Sequence, residues 1–446
     1  MVNQNSVLSS ISFSQTSDWN IKQFFSLCSI KSNFDLKKLG TAIKRRKDQM
    51  IVEDGKKYKR ITIKTNCGGV VVRDEILGEE IKTKNQYYVK AGQLAVSKID
   101  ARNGAFGIVP PEADGAIITG NFWVYDVNPT VANVDYLILI LSSNVFVQAW
   151  QDCSNGSGNR LYLQEEKFLN YKIPMPSILT QKAIMGDYAN LVNESAKKEQ
   201  EIAQLEKSID EYFLNILGVR VEDIQKNNGS LIRQINYSFL SRWDVWSQTT
   251  QYISSKYSFS KFGSVVKGKP IYGANCKGIK KKSDVRYIRI TDINEDGSLN
   301  DDFVSAEVVD EKYFLEENDF LIARSGNTVG KTFLYKPNMG KCIFAGYLVK
   351  YILNPQVVIP EYILYYTKSS LFRSWIRNNQ RIFGQPNING QEYLNADIIV
   401  PELEVQKEIV KTVESKRIQI DIKKKESKKL ILLAQCQFEE VVFGEA

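Results

Sequence analysis

The sequence contains no histidine in its 446 residues. That absence excludes Ser-His-Asp and Cys-His catalysis, zinc sites of the His-Glu-x-x-His type and the histidine-bearing deaminase signature. Its six cysteines (Cys28, Cys67, Cys153, Cys276, Cys342, Cys436) are scattered and form no Cys-x-x-Cys pair. Neither a metal site nor a disulfide framework is therefore expected, and a reduced, cytoplasmic location is. No charged-then-apolar signal opens the chain, and the longest apolar run, Tyr136–Leu141, is far too short to cross a bilayer. There is no Gly-x-Gly-x-x-Gly fingerprint. No acidic cluster shows a nuclease-like spacing with a lysine. The Asn128-Pro129 and Asn354-Pro355 pairs continue as Thr130 and Gln356. They therefore lack the second proline and aromatic of an amino-methyltransferase loop, and strand termination is their expected role. Net charge is also small: 59 basic against 51 acidic residues leave +8, which suits a polyanion without identifying one.

What is present is an ordinary folded composition, 43% hydrophobic and 11% aromatic, long enough for two to three domains. One segment imitates a nucleotide-binding loop. "LIARSGNTVGKTFLY" (321–335) carries Gly330-Lys331-Thr332. A P-loop needs a first glycine at 325, which is Ser325, and a helix after the lysine, where "TFLYKP" reads as a strand.

The stronger signal is a duplication. Residues 115–146 match residues 341–372 without a gap, with identities at Ile117/Ile343, Gly120/Gly346, Tyr125/Tyr351, Asn128/Asn354, Pro129/Pro355, Tyr136/Tyr362, Ser143/Ser369 and Phe146/Phe372. "YKRIT" (58–62) matches "YIRIT" (287–291) upstream, and downstream Pro176 and Gln181 match Pro401 and Gln406. The same register lays "KIDARNGAFGIV" (98–109) on "RSGNTVGKTFLY" (324–335), pairing Lys98 with Arg324 and Gly104 with Gly330. The false P-loop is thus one copy of a strand–turn–strand.

Each copy reads as β-rich runs, one short helix (134–150 and 360–376) and a turn-rich loop, followed by a proline-ended strand leading into a long helix. In the first long helix Ile184, Tyr188, Leu191, Ser195, Lys198, Ile202, Leu205, Ile209, Tyr212 and Ile216 keep a 4-3 spacing. In the second, Ile409, Val413, Ile420, Leu430, Ala434 and Val441 share that frame, with polar gaps at Lys416, Lys423 and Ser427. Gly218 and Gly444 mark the ends. Two helices of about 33 residues, paired antiparallel, would make a spacer of ~50 Å. The fold expected is α+β: two duplicated mixed α/β domains, each followed by a long helix, the helices pairing as an antiparallel coiled coil. The boundaries are 1–177, 178–218, 219–401 and 402–446.

The repeated turns carry Lys98, Asp100, Arg102 and Asn103 in one copy and Arg324, Ser325, Asn327, Thr328 and Lys331 in the other. A second recurring loop offers Asn159, Arg160, Gln385, Asn387 and Asn389, and "KRRK" (44–47) adds a basic stretch. These residue types read base edges and phosphates. Trp123, Tyr125, Trp150 and Tyr351 lie in apolar runs and are expected in the core. "KKKESKK" (423–429) is expected to be a solvated helix face.

The ordered set of parts, and the stretches "PMPSILTQKAI" and "VPELEVQKEI", resemble the specificity subunit of type I restriction–modification systems over nearly the whole chain. The resemblance implies two target-recognition domains, each reading one half of a split site in double-stranded DNA. It also implies two methyltransferase subunits held on the helix pair, through faces such as Ile184, Leu191, Ile202, Leu205, Ile209, Ile409, Val413, Ile420 and Leu430, with restriction/translocase subunits joining them. No cofactor is then expected on this chain. S-adenosylmethionine, ATP and Mg would belong to the partners, and no membrane is involved. A ~50 Å spacer allows half-sites about one helical turn apart. The polar positions of the seam would mark where partner helices dock. Two other readings stay open on sequence alone: a coiled-coil assembly adaptor that reads no DNA, and a methyltransferase or nuclease in its own right.

Overall fold

The computed structural model describes residues 31–155, 162–223, 251–280, 284–380 and 386–444. The chain divides into two compact units, one running to Lys197 and resuming at Glu426, the other spanning Lys198–Lys425. Both divisions fall inside the long helices, so each unit contains part of both.

In the first unit a four-stranded antiparallel sheet runs in the order Ile43–Arg46, Phe122–Val127, Leu94–Ser97, Phe106–Ile108. Beside it lies a five-stranded sheet in the order Gln49–Ile51, Asn85–Tyr88, Ile117–Thr119, Lys57–Ile63, Val70–Leu77. Helices α1 (Val134–Ser142), α2 (Asn144–Asp152) and α3 (Glu165–Asn170) follow, then α4 (Ile178–Ile216). Trp123, Tyr125, Tyr136, Phe146, Trp150 and Phe168 pack into one cluster with Ile184 of α4 and with Phe438 and Val442 from the C-terminal helix. Each buried phenylalanine stabilises by about 1.5–3 kcal/mol. The Trp150 indole N–H donates to the Leu141 carbonyl at 3.0 Å, so its burial leaves no orphan donor.

The second unit repeats the four-stranded sheet as Val266–Tyr272, Leu348–Leu353, Asp319–Ala323, Thr332–Leu334. The registers match as well. Leu94 faces Ile108 as Phe320 faces Leu334, and Phe122 faces Ser97 as Leu348 faces Ala323. Where the first unit has its five-stranded sheet, the second has a parallel pair, Val285–Ile288 with Lys341–Phe344, and a short pair, Gly278–Ile279 with Ser305–Ala306. Helices α5 (Pro360–Tyr366), α6 (Ser370–Asn379), α7 (Gly390–Leu394) and α8 (Leu403–Phe443) complete it. Phe213 of α4, Leu217 just after it, and Ile409 and Val413 of α8 enter its core.

Duplication extends to hydrogen bonds. The Asn128 carbonyl accepts from the Val131 and Ala132 N–H groups, as the Asn354 carbonyl does from those of Val357 and Val358, ending strands at Val127 and Leu353. Fully buried Gln181 accepts from the Asn133 N–H at 2.8 Å and donates to the Val131 and Pro176 carbonyls, both at 2.9 Å. Gln406 repeats this with the Ile359 N–H and with the Val357 and Pro401 carbonyls.

Three expectations are corrected. The short helix of each copy is two helices, broken at Ser143 and Ser369, whose ψ angles of 151° and 154° are extended. Ser369 caps α6 by accepting from the Phe372 N–H, the competition that makes serine a helix breaker and a good cap. The long seams leave their 4-3 spacing at their ends. Phe213 and Leu217, and equally Phe438 and Val442, are buried, while Val441 is 45% exposed. A further 4-step keeps the stripe on the core, because a straight helix has 3.6 residues per turn and drifts from a 3.5 repeat. The "YKRIT" match is displaced: Arg60 faces Ile117 and Tyr287 faces Ile343, so Arg60, not Tyr58, stands where Tyr287 does. A shift of two residues restores the same strand face, so the alternation conceals it.

α4 ends in a Schellman motif: Gly218 has φ 61°, its N–H donates to the Asn215 carbonyl, and the Val219 N–H donates to that of Leu214. Gly444 follows α8 with φ 83°. The long helices run antiparallel to one another. In the first unit the Ser195 and Ser427 hydroxyls meet at 2.9 Å. In the second, Lys423 pairs with Glu201, Lys416 Nζ donates to Ser208 Oγ at 2.7 Å, and the Tyr212 hydroxyl donates to Thr412 Oγ1 at 3.2 Å. The polar seam positions Ser195, Lys416, Lys423 and Ser427 are thus matched within the pair. That differs from their expected use as marks for partner helices.

Candidate nucleic-acid interface

In the second unit, strand Asp319–Ala323 is buried throughout and delivers Arg324 at its end. The chain turns through Gly326–Thr328 and returns along Thr332–Leu334. No helix follows Lys331, so the phosphate cradle of a P-loop is missing. Gly330 closes the turn with φ 84°, and a Cβ there would stand 2.9 Å from Ile376 Cγ1, so both backbone and packing require glycine. The 386–389 loop is stitched to this turn. The Ile388 N–H donates to the Arg324 carbonyl and the Gly326 N–H to that of Pro386, both at 2.9 Å, and Ser325 bridges Asn387. The two loops singled out from the sequence thus form one surface.

Arg324 is half-buried, with its guanidinium 5.0 Å from the ring of Tyr272 and its backbone N–H donating to the Tyr347 carbonyl at 3.0 Å. Its Nε and Ser325 Oγ are buried without a hydrogen-bond partner. Tyr272 is 43% and Tyr347 56% exposed. Asn327 is exposed and Asn387 half-buried. Lys331 is directed inward: its Nζ donates to the Ile293 carbonyl at 3.2 Å and pairs with Glu295 at 3.0 Å. Asn389 caps α7, its side chain accepting from the Gln391 and Glu392 N–H groups.

The first unit repeats the frame with other side chains. The Lys98 N–H donates to the Asn121 carbonyl at 3.0 Å, and the Leu163 N–H donates to the Lys98 carbonyl at 2.8 Å. These are the counterparts of the Arg324 bonds to Tyr347 and Ile388. The Lys98 ammonium lies 5.6 Å from the Trp123 ring. Arg45 lies 5.4 Å from that ring and 3.0 Å from Glu165. Burial lowers the Lys98 pKa, and the charges of Arg45 and Lys47 add to the effect while Glu165 opposes it. The turn at Ala101–Asn103 holds Arg102 half-buried and Asn103 exposed, and Gly104 closes it with φ 71°. Cys67 supports it from behind, its N–H donating to the Gly104 carbonyl at 3.1 Å. Asn159, Arg160 and Gln385 lie outside the described residues.

Trp123, Tyr125, Trp150 and Tyr351 are buried, as expected, and the "KKKESKK" face is largely exposed. The seam residues named for partner subunits are covered by the chain itself. Ile184, Ile202, Ile409, Val413 and Ile420 are buried, and Leu191, Leu205, Ile209 and Leu430 are half-buried. Elsewhere on α8, Ile418 and Ile422 are exposed. Among the described residues no cluster could hold a metal ion, and no helix is long and apolar enough to cross a membrane.

Sequence reasoning missed Tyr272, Tyr347 and Asn121. The last two are repeat partners, exposed and different, and that combination could have revealed them. Tyr272 left no such signal. Its strand is irregular between Lys267 and Ile271, so no gapless match reaches it. Overall the surface offers a guanidinium, amides and exposed aromatic rings on rigid turns, a set suited to base edges rather than to covalent chemistry.

A family model described as "Type I restriction modification DNA specificity domain" matches residues 17–207 and 255–432. A solved structure from work on complex assembly and conformational transition of the type I restriction–modification system is 15% identical, with a TM-score of 0.51 over 92% of this chain and 97% of that one. The HsdS subunit from Thermoanaerobacter tengcongensis is 16% identical over 92% of this chain and 96% of its own, TM-score 0.37. The type I S subunit from M. genitalium is 12% identical over the same shares, TM-score 0.41. No curated protein matches.

Proposed function

The chain belongs to the family of type I restriction–modification DNA specificity domains, and from that membership we propose that it is a non-catalytic subunit reading double-stranded DNA as two half-sites, one per unit. One observation carries the two-part reading. Lys98, Asn121 and Leu163 occupy the same hydrogen-bonded frame as Arg324, Tyr347 and Ile388. The backbone is kept while the exposed side chains differ, which is what reading two different half-sites requires. Solvent-facing positions of α4 and α8, including Ile418 and Ile422, would hold two methyltransferase subunits, with restriction/translocase subunits joining them. S-adenosylmethionine, ATP and Mg would be bound by those partners.

The test is selection from a randomised duplex library by the full chain, alone and with its methyltransferase partners. Enrichment of two short motifs at a fixed gap is expected. No enrichment in either form would favour an assembly adaptor. Methylation or cleavage by the chain alone, given methyl donor, ATP and magnesium, would make it an enzyme.

A further inference from the structure

We infer that Arg324 reads a guanine in the half-site bound by the Lys198–Lys425 unit, with Tyr272 as the shelf that holds its guanidinium. The inference rests on the reading of this chain as a DNA specificity subunit, and it names the base and the residue.

Arg324 differs from the other half-buried arginines of its unit. Arg289 forks onto Asp292 and Asp302. Arg286 donates to the Asn300 carbonyl at 2.6 Å and Arg417 to that of Asp296 at 3.0 Å. The Arg324 guanidinium has no ion pair or hydrogen bond among the described residues and lies 5.0 Å from the Tyr272 ring; its Nε is buried without a partner, as are those of Arg286 and Arg417, but those two guanidiniums donate elsewhere. A half-buried cation held in this way is prepared for an acceptor that arrives from outside.

The support is rigid. The Arg324 backbone is fixed on both sides, N–H to Tyr347 and carbonyl to Ile388. The shelf is fixed too, since the Tyr272 hydroxyl accepts from the Gly390 N–H at 3.1 Å at the start of α7. Stacking on an aromatic face limits the rotation of a guanidinium and leaves its donor edge free. A planar fork of two donors fits the paired O6 and N7 acceptors that guanine alone presents in the major groove. Adenine places a donor where guanine has O6, and the pyrimidines lack N7. A phosphate contact would need only the charge. At the matching position of the first unit stands Lys98, an ammonium over Trp123, which lacks the planar, pre-oriented fork of a guanidinium.

The experiment is selection from a randomised duplex library by the full chain in its methylating complex, comparing wild type, R324K and Y272L. Wild type is expected to require guanine at one position of one half-site. R324K keeps the charge and loses the fork. It should lower that preference roughly 5- to 140-fold while every position of the other half-site is retained, which also reports that the variant is folded. Y272L should weaken the same position and no other. Retention of the guanine in R324K overturns the inference, as does a change at a position that was never guanine. A loss spread evenly over all sequences would make Arg324 a phosphate contact and overturns it too. If wild type itself enriches nothing, the failure lies in the DNA-reading account and takes this inference with it. A retained guanine in R324K refutes this inference alone.

Discussion

Replacing Gln406 with leucine tests whether the repeated glutamine is structural. Gln406 is fully buried, and its amide serves three backbone groups: the Ile359 N–H at 2.8 Å, the Pro401 carbonyl at 2.7 Å and the Val357 carbonyl at 3.3 Å. Leucine of similar volume keeps the packing and removes all three bonds. The Ile359 N–H becomes an orphan donor at about 1–3 kcal/mol, and the two carbonyls add less, since each loses a single acceptor bond. The total expected is about 2–4 kcal/mol. Urea unfolding of the full chain measures it as a lower midpoint, and hydrogen exchange at residues 357–366 localises it. Gln406→Glu adds a pH signature. A buried carboxylate facing two carbonyls has its pKa raised in the folded state, so the variant gains stability as pH falls toward the ordinary glutamate value of about 4.3. A loss below about 0.5 kcal/mol for Q406L, with no protection change in that segment, would mean that the three bonds of Gln406 do not hold the fold.

Three further outcomes follow from the geometry. Arg102→Ala is expected to cost ~1–3 kcal/mol of discrimination at one half-site only, read by competition binding; equal losses on all sequences would make Arg102 a phosphate contact. Gly330→Ala meets both a φ of 84° and the 2.9 Å approach of Ile376. It should destabilise the second unit by about 1–3 kcal/mol in urea titration. Lys368 donates to the Thr332 carbonyl at 3.1 Å, and burial with Arg417 nearby lowers its pKa from 10.5 to about 7. Between those values the unfolded chain holds a proton that the folded chain has released, so stability rises with pH across that window. Lys368→Met should flatten that rise in unfolding titrations at a series of pH values.

Much of the fold was legible because the repeat exposes what both copies share. Gly104 and Gly330 stand out as the fixed points of the turn, and both have positive φ. Asn128 and Asn354 end strands, and Gln181 and Gln406 hold equivalent backbone groups. The false P-loop is resolved by the same comparison. What escaped depends on contacts distant in sequence or on small geometric choices. The join between Arg324 and the 386–389 loop, and the Tyr272 shelf, are formed by segments with no local signal for one another. The break at Ser369 arises from capping that outweighs a continuous apolar pattern, and at Ser143 the hydroxyl instead donates back to the Ile140 carbonyl at 3.0 Å. The slip to Phe438 and Val442 follows from helix geometry at the end of a seam. Lys331 shows the limit of choosing site residues by type. It is basic and on the right turn, and Glu295 and the Ile293 carbonyl engage its charge.

The most direct test of the central claim is a map of base methylation across the genome that encodes this chain, made with the gene intact and with it deleted. Deletion is expected to remove one methylated bipartite motif, two short sequences at a constant gap, and returning the gene to restore it. A methylation pattern unchanged by deletion would contradict the account.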